Sequence, residues 1–156
     1  MIILKNILVP TDLGPASEAA LRYGCILADT FGAKVHVLHV MDNSLFQARF
    51  ADPAIIEAAT REQLNAQLVA AEAQRFSTNV VVEKFDSPTD SILRYAKSAP
   101  IDLIVMGTHG RTGAAHVLLG SVAEQIVRSA RCPVLVVRSP ERDFITDIDQ
   151  RASMSA

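Results

Sequence analysis

Residues 103–138 run apolar strand, glycine-rich loop, helix, apolar strand, and that order limits the fold more than any other feature of the chain. Leu103, Ile104, Val105 and Met106 form an unbroken apolar run, the pattern of a strand buried on both faces of a parallel sheet. Three glycines follow, Gly107, Gly110 and Gly113, and Gly120-Ser121 then leads into a helix predicted over 122–130. Val134, Leu135, Val136 and Val137 close the unit as a further strand.

Such a loop suits an anion. Glycine lets backbone approach a bulky ligand closely, and successive N–H groups form a concave anion site. Ser121 stands where the helix begins, with its first amides and the positive end of the helix dipole behind the hydroxyl. Arg111 can add a charge-assisted contact. A local reading stands beside this one. Ser121-x-x-Glu124 is also a capping box, and Gly113 can serve a turn alone. His109 and His116 read as loop residues with local hydrogen bonds.

The earlier chain repeats the alternation. A first strand over 6–9 ends at Pro10-Thr11-Asp12, and Gly14-Pro15 opens a helix with Ala16, Ala20, Tyr23 and Leu27 on its buried face. Gly32 ends it. The second strand covers 35–41, with His36 and His39 on opposite faces, which argues against a shared metal site. Residues 42–53 show no period and read as a loop. A long helix over about 53–76 carries Leu64, Leu68 and Ala71 inward, and a break over 77–79 precedes a third strand over 80–85. Ser87 caps a helix that Pro88 enters, Ile92, Ala96 and Ala99 form its stripe, and Pro100 stops it before a fourth strand over 101–106.

Alternation of this kind predicts an α/β fold: one doubly wound, five-stranded parallel sheet in the order 3-2-1-4-5, helices on both faces. The switch point then falls between the first and fourth strands, where Pro10-Thr11-Asp12 and the glycine loop emerge together. The expected domain is 1–138, followed by a polar tail over 139–156 that is mobile or lies on a partner.

At 156 residues the chain fits one domain, and its net charge of -2 argues against nonspecific nucleic-acid binding. No run is long enough to span a membrane and no leader pattern opens the chain, so the cytoplasm is the expected compartment. Cys25 and Cys132 lie in apolar company and read as free buried thiols.

Gly107, two residues, Gly110, nine residues, then Gly120-Ser121 resembles the Gly-x2-Gly-x9-Gly-Ser/Thr pattern of the ATP-binding branch of the universal stress protein family. The likeness extends to Ile7-Leu8-Val9-Pro10-Thr11-Asp12 and to Val35-His36-Val37-Leu38-His39-Val40, covering about residues 2–138. It implies ATP across the crevice. Gly107, Gly110, Gly120 and Ser121 match the phosphate and ribose loop, and Val122 offers an amide to the phosphates. Asp12 matches an aspartate near the nucleoside, Val40 the position meeting adenine, and Pro10 and Thr11 the same wall. Met106, His109 and Arg111 are adjacent matches. From residue chemistry alone, Asp12 is equally a helix cap, and Val40 reads as a core residue that only the resemblance lifts above that.

Two features depart from the pattern. Gly14-Pro15 stands where many members have serine two places after the aspartate. There is no Walker-type Gly-Lys-Ser/Thr, so Mg²⁺ would rest mainly on phosphate oxygens and waters. The resemblance therefore implies a nucleotide-dependent regulatory or stress-response protein with little or slow hydrolysis. It also implies homodimers joined through the strand over 134–137, with a transporter or another regulated protein as partner. Two alternatives stay open: a dimeric interaction module without ligand, and a weak ATP-hydrolysing enzyme. For the enzyme, no residue presents as nucleophile or general base with an orienting group.

Overall fold

The computed structural model describes residues 1–42, 52–71, 75–85, 87–108 and 119–138. Strands and helices alternate through them: β1 (Asn6–Thr11), α1 (Pro15–Phe31), β2 (Lys34–Asp42), α2 (Pro53–Ala70), β3 (Thr78–Phe85), α3 (Pro88–Ser98), β4 (Leu103–Gly107), α4 (Ser121–Ser129) and β5 (Val134–Val137). All strand pairs are parallel, in the order β3-β2-β1-β4-β5. The doubly wound sheet expected from the sequence is the one found.

β1 shows how the layers form. Ile7, Leu8 and Val9 are each 0% exposed, so the period of two divides them between two cores. Ile7 and Val9 pack with Ala20 and Leu21 of α1 and with Leu64 and Leu68 of α2. Leu8 packs on the other face with Ile92 of α3 and Ala123 and Ile126 of α4. Each such side chain contributes about 1.5–3 kcal/mol. Two helices per face is what right-handed crossovers give when the winding reverses after β3.

Several boundaries differ from the sequence reading, each for a backbone reason. β1 continues past Val9 because Pro10 and Thr11 still pair with Leu38 and His39 of β2. β3 begins at Thr78, not Val80: Thr78 and Asn79 pair with Val35 and His36, and a ladder is indifferent to side-chain polarity. α2 stops at Ala70, with Ala71 as its C-cap, short of the expected 76. Ile101 is buried but precedes β4, since its N–H turns back to the Ala99 carbonyl at 2.8 Å. The starts of α1 and α3 agree with expectation: Pro15 and Pro88 occupy the first turns, and the Ser87 hydroxyl accepts from the Asp90 N–H at 3.2 Å.

Candidate functional site

The sheet opens where β1 and β4 part. β1 pairs with β4 only at Ile7↔Leu103 and Leu8↔Ile104, whereas its ladder with β2 continues to Thr11↔His39. Pro10, which has no N–H, lies where the β4 ladder has ended. β2 runs on, so Val40 sits one residue beyond the last β1 pair, half-buried against the core on the α3 face.

After β1 the chain turns tightly. The Leu13 N–H donates to Thr11 Oγ1 at 3.0 Å and the Gly14 N–H to Asp12 Oδ1 at 2.9 Å. Leu13 takes a φ of 67°, the left-handed region that a branched side chain rarely enters. Ser17 Oγ donates to Asp12 Oδ1 at 2.6 Å and receives the Asp12 N–H at 3.3 Å. Asp12 thus holds the turn that leads into α1. It is not the N-cap: Gly14 is, and no side chain closes that helix start. Beneath the turn, His39 Nδ1–H donates to the Thr11 carbonyl at 2.8 Å, which fixes the tautomer of a buried ring.

The other wall is β4 and the start of α4. Gly107 lies under the first turn of α1, where a β-carbon would come within 2.7 Å of the Ala16 backbone. Close packing alone therefore requires this glycine. The Thr108 N–H donates to the Val137 carbonyl at 3.0 Å, and the Gly120 N–H donates to the Thr108 carbonyl at 2.6 Å. That second bond sets the start of α4 against the end of β4. The expected capping box is not formed: Gly120 is the N-cap, Ser121 is the first helical residue with an exposed side chain, and no side-chain cap closes this end. Glu124 instead pairs with Arg128 at 3.0 Å, an exposed ion pair that offsets an acidic charge beside the amides.

Of the residues expected at the site, Pro10, Thr11 and Asp12 end β1 and Gly107 ends β4 on the two sides of the gap, while Gly120, with Ser121 and Val122 behind it, is bonded to Thr108 just past β4. Val122 is half-buried against the core, and Met106 is a core side chain packed with Leu38 and Ile104. His109, Gly110 and Arg111 lie outside the described residues, as does the tail over 139–156. Ser17 and His39 escaped the sequence reading. The legible signal for Ser17 was a serine on the same helix face as Ala20, Leu21 and Ala28.

Among the described residues no three His, Cys, Asp or Glu side chains cluster as metal ligands, and no helix is long and apolar enough to cross a membrane. A family model, described as the universal stress protein family, matches residues 4–138. The chain belongs to the universal stress protein family. Among its relatives, universal stress protein MJ0531 of Methanocaldococcus jannaschii is 34% identical, over 90% of this chain and 86% of its own length. The solved structure of protein MJ0577 from the same organism superposes with a TM-score of 0.73 at 27% identity, covering 90% of this chain and 100% of its own. A universal stress protein solved in complex with cAMP superposes at 0.62 with 28% identity, covering 87% and 98%. Universal stress proteins thus share this sheet, and one with the same fold holds an adenine nucleotide.

Proposed function

We propose that this chain is an ATP-binding universal stress protein that acts as a nucleotide-dependent regulator with little or slow hydrolysis. One observation carries the reading: the 2.6 Å bond from the Gly120 N–H to the Thr108 carbonyl. It holds an α-helix start without a side-chain cap beside the switch point of the sheet. Helix amides there favour phosphate, and open α/β sheets place nucleotides beyond the strand ends at that gap. Gly107, Gly110, Gly120, Ser121 and Val122 hold the phosphates and ribose in this reading, with His109, Arg111 and Met106 alongside. Asp12 takes the ribose hydroxyls, Val40 meets adenine, and Pro10 and Thr11 form the wall. Mg²⁺ binds through phosphate oxygens. Calorimetry on desalted protein with ATP, ADP and AMP tests it: saturable ATP binding is the expected result, and no heat with any of the three ends the reading.

A second proposal concerns assembly. The two sheet edges differ: on β3, Arg61 of α2 donates to the Val80 carbonyl at 3.3 Å, and Glu57 pairs with both Arg61 and Lys84. β5 has β4 as its one strand neighbour among the described residues, and Val134, Leu135 and Val136 are half-buried. A bare apolar edge pairs readily with another strand. Two copies joined through Val134–Val137 give a homodimer, and sedimentation equilibrium showing a monomer at micromolar concentration would end this proposal.

A further inference from the structure

At the opposite end of the sheet from the switch-point gap, the C-terminal ends of α3 and α4 enclose a cleft of about 250 Å³. Its apolar lining comes from Leu93 and Ala96 of α3, Ile101 before β4, and Ala130 after α4. Ile101 is 9% exposed, so the lining is continuous with the core of that face. Lys97 and Arg131 stand at the rim with exposed side chains, and among the described residues neither is in an ion pair. Ser129 completes the lining, and a cleft with one apolar side continuous with the core and charged side chains at its mouth has the form of a small-molecule site.

The cations have a local role to weigh first. A lysine in the last turn of a helix complements the dipole, and Lys97 is so placed. Each helix end, however, carries only about half an elementary charge. Two full positive charges outweigh two such ends. Asp102 does not line the cleft, although its charge reaches Cys132; its carboxylate accepts the Lys5 and Asn6 N–H groups at 2.8 and 2.9 Å, at the start of β1. Burial raises the Cys132 thiol within the lining, so it adds a neutral side chain and no competing anion at neutral pH.

We infer that this cleft binds a compact aliphatic carboxylate, its chain against Leu93, Ala96, Ile101 and Ala130 and its carboxylate between Lys97 and Arg131. The volume admits on the order of ten non-hydrogen atoms, since a water occupies about 30 Å³ of liquid. The site is separate from the nucleotide crevice and does not rest on the nucleotide reading.

The test is a titration of methyl-labelled, nucleotide-free protein with octanoate and, separately, 1-octanol, followed by NMR. Saturable shifts of the Leu93 and Ile101 methyls are expected, with octanoate binding roughly threefold or more tightly than the alcohol, as for an exposed ion pair. The double variant Lys97→Gln/Arg131→Gln changes two exposed side chains and should bring octanoate down to the level of the alcohol. Absence of saturable shifts, shifts confined to other methyls, or equal binding of acid and alcohol would overturn the inference. So would octanoate affinity unchanged in the double variant. The acid-against-alcohol comparison needs only the unaltered protein, so it decides even if the variant folds poorly.

Discussion

Ser17 Oγ donates to Asp12 Oδ1 at 2.6 Å from within the first turn of α1, and the same hydroxyl receives the Asp12 N–H. A serine on a buried helix face therefore sets the orientation of the carboxylate that closes β1. Ser17 is a positioning residue in the proposed site, acting through Asp12. Ser17→Ala should keep the fold and cost about 1.5–3 kcal/mol, the range for a hydrogen bond to a charged group. Nucleotide affinity should fall with it, because Oδ1 would keep the Gly14 N–H but lose its hydroxyl donor. Urea denaturation and calorimetry on the same preparation measure both; loss of stability with unchanged ATP affinity would show that the contact serves only the turn.

Gly107 and Gly120 belong to one glycine pattern but differ in what the backbone demands. A β-carbon on Gly107 meets Ala16 backbone at 2.7 Å, so Gly107→Ala should destabilise by about 1–3 kcal/mol whether or not ligand binds. Gly120 has φ -68° and ψ 157°, a conformation open to any residue. Glycine is nevertheless preferred to alanine at an N-cap, so Gly120→Ala should lose no more than about 1 kcal/mol, while weakening ATP binding if ligand approaches that backbone closely. Thermal denaturation with and without ATP separates the two variants. Equal ATP affinity in Gly120→Ala and the native chain would remove Gly120 from the proposed site.

Strand order, the winding of the helices and β5 were legible because apolar runs and helical stripes report burial directly, as Leu103–Gly107 and Val134–Val137 show. The start of β3 was not, because Thr78 and Asn79 join through backbone pairing that their polarity conceals. Ser121-x-x-Glu124 has the residues of a capping box, yet the helix begins one position earlier, and Glu124 turns to Arg128 instead. A four-residue pattern cannot distinguish a serine at the cap from one just inside the helix. The role of His39 depends on a contact across 28 positions, which no local pattern encodes.

The two thiols should differ in reactivity. Cys25 is 1% exposed, and burial raises its pKa to about 12, which suppresses the nucleophilic thiolate. Cys132 is half-buried and raised for the same first reason. Iodoacetamide at pH about 8, near the ordinary thiol range, should label Cys132 slowly in native protein and leave Cys25 unlabelled. Denaturant should expose both. Mass spectrometry of peptides after timed quenching reads the order, and early labelling of Cys25 would contradict its place in the α1 core.

His36 should make stability sensitive to acid. Its Nε2–H donates to Asn6 Oδ1 at 3.1 Å, its Nδ1 accepts from the Tyr95 hydroxyl at 2.7 Å, and Asn79 donates to the same hydroxyl at 3.2 Å. This chain joins the starts of β1, β2 and β3 to α3, and it requires a neutral imidazole: a proton on Nδ1 would meet the Tyr95 O–H. Burial lowers the His36 pKa, and the Lys34 charge lowers it further. A folded pKa below the unfolded value means that the unfolded chain binds more protons between the two. Stability should therefore be flat above pH about 7 and fall as pH drops below about 6.5, the ordinary histidine value. The loss continues until the folded pKa is passed. Denaturant midpoints for the native chain and His36→Gln across that range isolate the contribution, since glutamine cannot titrate. The variant should be less stable at pH about 7.5 but should show a shallower decline toward pH about 5.5. Identical slopes in the two proteins would mean that His36 is not the group that carries the dependence.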